Sequence, residues 1–220
     1  MSRHLHREIE HLKKKILGVG AMVEESIAKA IAAVIKRDAK LALEVVESDD
    51  VIDQSEVDVE EDCLKILALH QPVALDLRFV VAVLKINNDL ERMADHAVNI
   101  ARRAEYLASY TNVDLPPDLE VMLQKTQTMV RESLDALVQQ DVELARKVFH
   151  GDNEVDQLNR QMHVLIQEQI RANPERVEQL IHQLSVSRQL ERIADLATNV
   201  AEDVVYTVEG EIIRHRAESY

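Results

Sequence analysis

Apolar residues recur at spacings of three and four over unusually long stretches of this chain. In the first segment they fall at Leu5, Ile9, Leu12, Ile16, Val19, Val23, Ile27, Ala30 and Val34, a helix-period stripe sustained over about four heptads. The run Phe79-Val80-Val81-Ala82-Val83-Leu84 looks strand-like alone. However, Phe79, Val83, Ile86, Leu90, Met93, Ala97, Ile100, Ala104 and Leu107 continue as one unbroken pattern, and length decides for helix. Prolines punctuate the pattern at Pro72, Pro116-Pro117 and Pro174. Each removes an N–H donor and disfavours α conformation in the residue before it. The pattern predicts six long helices, at roughly 5–36, 38–70, 73–109, 117–139, 141–172 and 175–209.

The second half repeats the first. Shifted by 100 positions, Leu90–Ala101 overlays Leu190–Ala201 with eight of twelve residues identical. A second overlay, shifted by 103, keeps Asp38, Leu41, Ala42, Val45, Asp49, Asp53 and Gln54 as Asp141, Leu144, Ala145, Val148, Asp152, Asp156 and Gln157. Loops at Pro72 and Pro174 can absorb the difference between the two shifts. Short connections make successive helices antiparallel, so the chain reads as all-α: two tandem three-helix bundles related by a pseudo-twofold axis. Residues 1–112 form the first bundle in this reading and residues 113–220 the second. Middle helices broken near Ser48-Asp49 and Gly151-Asp152 are also expected, with each Asp capping a new helix start.

Composition narrows the picture. With four Gly, four Pro, no Trp and only two Phe and four Tyr, the chain lacks the turns and rings of a β-sandwich or barrel. A net charge of −14 repels phosphate backbones and anionic headgroups, which argues against nucleic-acid binding. One cysteine, Cys63, excludes an intrachain disulfide framework and a Cys-based metal site. No apolar h-region and no stretch of ~18 apolar residues is present, so a soluble cytoplasmic protein with no membrane insertion is expected.

The duplicated block carries the candidate chemistry. With Leu90 and Met93 on the core stripe, Glu91, Asp95 and Asn99 lie on the opposite face at four-residue steps. Glu191, Asp195 and Asn199 do the same, and Asp203 is expected to extend that second row where the first has Arg103. Like charges one turn apart repel by roughly 0.2–0.5 kcal/mol. Two carboxylates and an amide offer hard oxygen ligands suited to Mg, Mn, Ca or iron. The competing reading is a solvated acidic face, with Arg92 and Arg192 one residue away.

These blocks resemble the paired E/D-x-x-x-D signature of the PhoU family, and the resemblance covers nearly the whole chain. It takes in Leu67–Arg78 (LALHQPVALDLR) and the ending Ala201–Gly210 (AEDVVYTVEG). The resemblance implies a tandem three-helix-bundle protein, often a homodimer, with iron or another metal (Mn, Mg, Zn) on the acidic motifs. Glu91, Asp95, Asn99, Glu191, Asp195 and Asn199 are then the metal-site residues. It further implies a non-enzymatic negative regulator of phosphate uptake and of the phosphate-starvation response. Its partners would be a phosphate ABC transporter and a sensor histidine kinase, met at the cytoplasmic side of the membrane. The rivals are a metal-dependent hydrolytic or redox enzyme built on the same rows, and a helical scaffold that binds no metal.

Other acids have readings of their own. Glu44 through Asp62 holds ten acids and no Lys or Arg, fitting a docking face for a basic partner or a solubilising surface. The i, i+4 pairs Asp49/Asp53 and Asp152/Asp156 read as helix N-terminal acids favoured by the macrodipole. The only Glu-x-x-His, at Glu8–His11, is one short of the pair that a di-metal bundle core needs. His96 is Leu196 in the second copy and reads as packing or surface. No Gly-rich phosphate loop or nucleophile elbow is present.

Overall fold

Hydrophobic periodicity and local capping together place six helices. They are α1 (Arg3–Lys36), α2 (Ala39–His70), α3 (Ala74–Ala108), α4 (Pro117–Gln139), α5 (Val142–Ala172) and α6 (Val177–Glu209), with a 3-10 turn at Pro174–Arg176 before the last. The structure is a computed structural model and describes residues 3–110 and 114–210. The expected division at 112/113 falls outside the described residues. Asp38 starts α2 by accepting from the backbone N–H of Lys40 and Leu41 at 3.0 and 3.2 Å. Its counterpart Asp141 starts α5 by accepting from Leu144 N–H at 3.0 Å. Each side-chain cap of this kind is worth about 1 kcal/mol. Gln71, Gln140 and Gly210 end α2, α4 and α6 in the left-handed region, where the turned-back N–H satisfies a carbonyl of the last turn.

α2 and α5 are single unbroken helices, contrary to the break expected near Ser48 and Gly151. Ser48 Oγ donates to Val45 O at 3.0 Å and so spends its hydrogen bond inside the helix instead of opening it. Gly151 is small because α4 passes close by: a Cβ there would meet Met129 Cγ at 2.9 Å. That glycine is for packing.

The expected stripes are the core. Leu12, Ile16, Val19, Val23, Ile27, Ala30 and Val34 of α1 are buried, as are Val83, Ile86, Leu90, Met93, Ala97, Ile100 and Ala104 of α3. α1, α2 and α3 pack as one antiparallel bundle, α4, α5 and α6 as another, and α3 lies along α6 to join them. Across that seam Lys85 meets Asp203, His96 meets Gln189 and Arg103 meets Ser185. Rising numbers on α3 meet falling numbers on α6, so the two helices are antiparallel. With a repeat shift of 100, the pseudo-twofold axis passes level with residues 92–96 and 192–196. At 35 residues, α3 is about 52 Å long at 1.5 Å per residue.

A buried polar rung fixes how each outer helix sits on its central one. Asn87 Nδ2 donates to Glu56 O at 2.9 Å in the first bundle. Ser187 Oγ donates to Asn159 Oδ1 at 2.7 Å in the second. These rungs occupy equivalent positions in the two repeats although the side chains differ. The single thiol, Cys63, is fully buried, and burial beside Asp62 and Glu60 pushes its pKa up to about 12.

Truncating the centre of this core should be costly. Leu90→Ala is expected to lower stability by about 2–5 kcal/mol, and exposed Leu43→Ala to change it by no more than about 0.5 kcal/mol. Urea denaturation reads both, and equal midpoints would contradict the assigned core.

Candidate functional site

Each acidic row belongs to a larger group that antiparallel packing assembles. The Asn87–Glu56 rung sets the level of α2 on α3, and counting from it places Asp53 level with Glu91 and Asp49 level with Asp95. The Ser187–Asn159 rung does the same for α5 on α6, placing Asp156 level with Glu191 and Asp152 level with Asp195. Because all four pairs are spaced i, i+4, each bundle presents two carboxylates from each of two helices: a quartet. The expectation that Asp49/Asp53 and Asp152/Asp156 are helix-start acids is therefore corrected. They lie well inside α2 and α5, where the N-terminal dipole is spent, and they face the motif acids.

The electrostatics agree with that placement. Burial, then the charges of Asp95, Asp53, Glu56 and Asp49, raises the pKa of Glu91 above the ordinary carboxylate value. Asp49 is raised by burial and by Asp53 and Asp95. In the second bundle burial together with Asp195 and Asp156 pushes Asp152 up to about 6. Burial together with Glu191 and Asp156 pushes Asp195 to about 6 as well, against the pull of Arg192. Glu191 is raised in the same sense by burial and Asp156. Desolvation and like charge both disfavour the ionised form, so these groups are costly to ionise together.

Glu91, Glu191, Asn99 and Asn199 are half-buried, while Asp95 and Asp195 reach solvent. Asp95, Asp195, Asp152 and Asn199 open onto one cleft of about 650 Å³ that also meets Arg92, Arg192 and His96. This cleft lies on the pseudo-twofold axis and brings the two motifs together. His96 Nδ1 shares a hydrogen bond with Gln189 Oε1 at 2.8 Å, so it serves the seam. Arg103 turns away from the first row and donates to Ser185 Oγ at 3.2 Å.

Asp203 does not extend the second row. A four-residue step advances about 40° around a helix of 3.6 residues per turn, so three steps from Glu191 carry Asp203 about 120° around α6. It is 2% exposed and pairs with Lys85 across the seam at 3.3 Å, with Lys85 Nζ 5.2 Å from the Tyr206 ring centre. The dense acids of 44–62 split likewise. Asp49 and Asp53 belong to the first quartet with Glu56 beside it, Asp62 pairs with Lys15 at 2.5 Å, Glu44 is half-buried, and Glu47, Asp50, Asp58, Glu60 and Glu61 are exposed.

The donor set suits a hard cation. It consists of carboxylate and amide oxygens, with the Thr198 hydroxyl hydrogen-bonded to the Asp152 carboxylate beside it. The side chains are spread, however: among the described residues no three His, Cys, Asp or Glu are gathered tightly enough to hold a metal ion. No helix among the described residues is long and apolar enough to cross a membrane.

Comparison with known proteins adds to this geometry. A family model described as the PhoU domain matches residues 16–104 and again residues 119–204. The phosphate-specific transport system accessory protein PhoU homolog of Aquifex aeolicus is 40% identical over 212 residues, spanning 96% of this chain and 96% of that protein. The accessory protein PhoU of Edwardsiella tarda is 34% identical over 218 residues, 97% of this chain and 88% of its own length. The crystal structure of PhoU from Pseudomonas aeruginosa superposes with a TM-score of 0.91 at 34% identity, covering 94% of this chain and 99% of that one.

The raised pKa values have a measurable consequence. A carboxyl whose folded pKa exceeds its unfolded value stabilises the fold at low pH and loses that contribution as pH rises through the folded value. For Asp152 and Asp195 the window runs from about 4 to beyond 6. Chelator-treated protein should therefore lose thermal stability between pH 5 and 7.5, and Asp195→Asn should flatten that loss. An unchanged slope in the variant, followed by scanning fluorimetry, would contradict the quartet.

Proposed function

The chain belongs to the PhoU family, and on that premise we propose that it is an accessory regulator of phosphate-specific transport that acts by protein contact, not by catalysis. The observation that carries the reading is the doubled match: both halves keep the family's domain, and both keep its acid motif on the same seam. Relatives at 40% and 34% identity are named for this accessory role. The chain acts at the cytoplasmic side, engaging a phosphate ABC transporter and a sensor histidine kinase and restraining uptake and the starvation response when phosphate is sufficient. It works as a homodimer.

The quartets are its cation sites. Glu91, Asp95 and Asn99 with Asp49 and Asp53 form one donor set; Glu191, Asp195 and Asn199 with Asp152 and Asp156 form the other. Iron, Mn, Mg or Zn bound there would supply the positive charge that four crowded carboxylates lack. The chain's own part is to hold those oxygens level by helix register, to keep the amides beside them, and to set Arg92 and Arg192 at the cleft rim. Burial and the crowding of like charge in each quartet, with the raised pKa values they produce, support this reading.

Two measurements test it. Affinity-tagged chain from phosphate-replete cells should co-purify with the transporter's cytoplasmic subunits and the kinase, and its deletion should derepress starvation genes. Absence of both associations, or normal repression without the chain, sinks the regulatory role. Elemental analysis of natively purified protein should find metal that Asp95→Asn/Asp195→Asn lacks, whereas equal metal in both would place it elsewhere.

A further inference from the structure

The two ends of the α3–α6 seam exchange under the pseudo-twofold axis, so each position at one end has a mate 100 residues away at the other. Where α3 finishes, the seam is filled with rings. Tyr106 stacks on His182 with centres 3.8 Å apart, and Tyr110 lies 5.3 Å from Tyr106. Both tyrosine hydroxyls reach Glu178 Oε2, at 2.8 and 3.1 Å. Where α3 begins, the mates of His182, Tyr110 and Glu178 are Ala82, Gly210 and Arg78. Two rings are gone, and an acid has become a cation.

Beside Ala82, where the other end has the His182 ring, lies a cavity of about 140 Å³ walled by Ile16, Phe79, Val83, Leu137, Val204 and Val208. A cavity of this size has room for one benzene-sized ring, with Gln140 and Thr207 as polar groups in an otherwise mostly apolar lining. Lys13 is the one charged residue in its lining, held by Glu10 at 3.0 Å and 5.5 Å from the Phe79 ring centre. The Arg78 guanidinium fills the space that a Cβ on Gly210 would need. Val138 and Val208 of the lining leave apolar surface exposed, at 56% and 42%. In a chain of net charge −14, the α1 side of the cavity carries Lys13 in its lining and Lys14 next to it in sequence, while Lys15 is paired with Asp62.

We propose that this cavity is a docking site for an acidic amphipathic segment of a partner protein. The segment inserts one aromatic side chain between α1, α3, α4 and α6 and sets its carboxylates against Lys13, Lys14 and Arg78. The opposite end of the seam supplies the template, since there the His182 ring, stacked on Tyr106, stands where this end has Ala82. A buried aromatic anchor inside a charged rim is the usual arrangement of a binding hot spot. The proposal rests on the reading of the chain as a regulator that works through protein contacts, and it adds where one contact is made. A lipid surface suits the site less well, because the cavity admits a single ring and the acid-rich remainder of the chain repels anionic headgroups.

The probe is a helical acidic peptide carrying one Phe flanked by Glu, titrated into full-length protein with labelled Ile, Leu and Val methyls. Shifts confined to methyls of the cavity lining, Ile16, Val83, Leu137, Val204 and Val208 among them, are expected. At least tenfold weaker binding is expected for the Phe→Ala peptide, for Ala82→Phe protein, which plugs the cavity, and for Lys13→Glu protein, which inverts its rim. Lys13 is part-exposed and its only ion pair among the described residues is the local one with Glu10, so Lys13→Glu leaves the core intact and keeps the test valid if Ala82→Phe folds poorly. No binding, shifts elsewhere, or equal affinity for the Phe→Ala peptide overturns the site. So does capture of anionic phosphatidylglycerol vesicles that Ala82→Phe abolishes while the peptide stays unbound. Protein that takes the peptide in its cavity but never associates with the transporter overturns the functional reading and leaves the site standing. Transporter association undiminished in both variants does the reverse.

Discussion

Everything at the candidate site depends on helix register. An acid pair at i, i+4 on one helix is an ordinary piece of wet surface. It becomes a quartet only when an antiparallel neighbour brings its own pair to the same height, and a slip of one residue would turn the neighbour's acids about 100° away. Burial of apolar stripes drives the helices together, but alone it tolerates sliding. The rungs Asn87–Glu56 and Ser187–Asn159 add direction, because a buried polar group left without its partner costs about 1–3 kcal/mol. Both rungs lie one turn from the acids they align.

The fold was legible because its signals are local and periodic. Stripes such as Leu5 to Val34 and stops such as Pro116-Pro117 need no knowledge of neighbours, and the six helices fall where those signals put them. The motif acids were legible for the same reason, being duplicated within one helix each. Their partners were not. Asp49/Asp53 and Asp152/Asp156 stood out in the second overlay, yet their role depends on lateral register between helices joined by a loop, which no single-helix pattern carries. The useful signal was there: one i, i+4 acid pair retained in each repeat, 42 residues before the motif Glu in the first and 39 in the second.

Two misreadings have simple causes. Ser48 and Gly151 resemble helix punctuation, but a Ser hydroxyl can bond back to its own helix and a Gly can exist to let another helix approach. Asp203 seemed to prolong a row because four-residue steps line up over short distances. The accumulated rotation carries it from the solvent face into the seam, where it pairs with Lys85. The same residue type, a little over two turns on, changes from a surface donor into a tie between the halves.

Joining both halves in one chain loosens a constraint that a true homodimer would impose. In an assembly of identical subunits every substitution appears twice, so neither end of a symmetric seam can change alone. Here Ala82 and His182, or Gly210 and Tyr110, are separate codons. One end of the α3–α6 seam could close around its own aromatics while the other stayed open, with the shared scaffold between them untouched. Duplication followed by fusion thus yields a symmetric frame with independently editable termini.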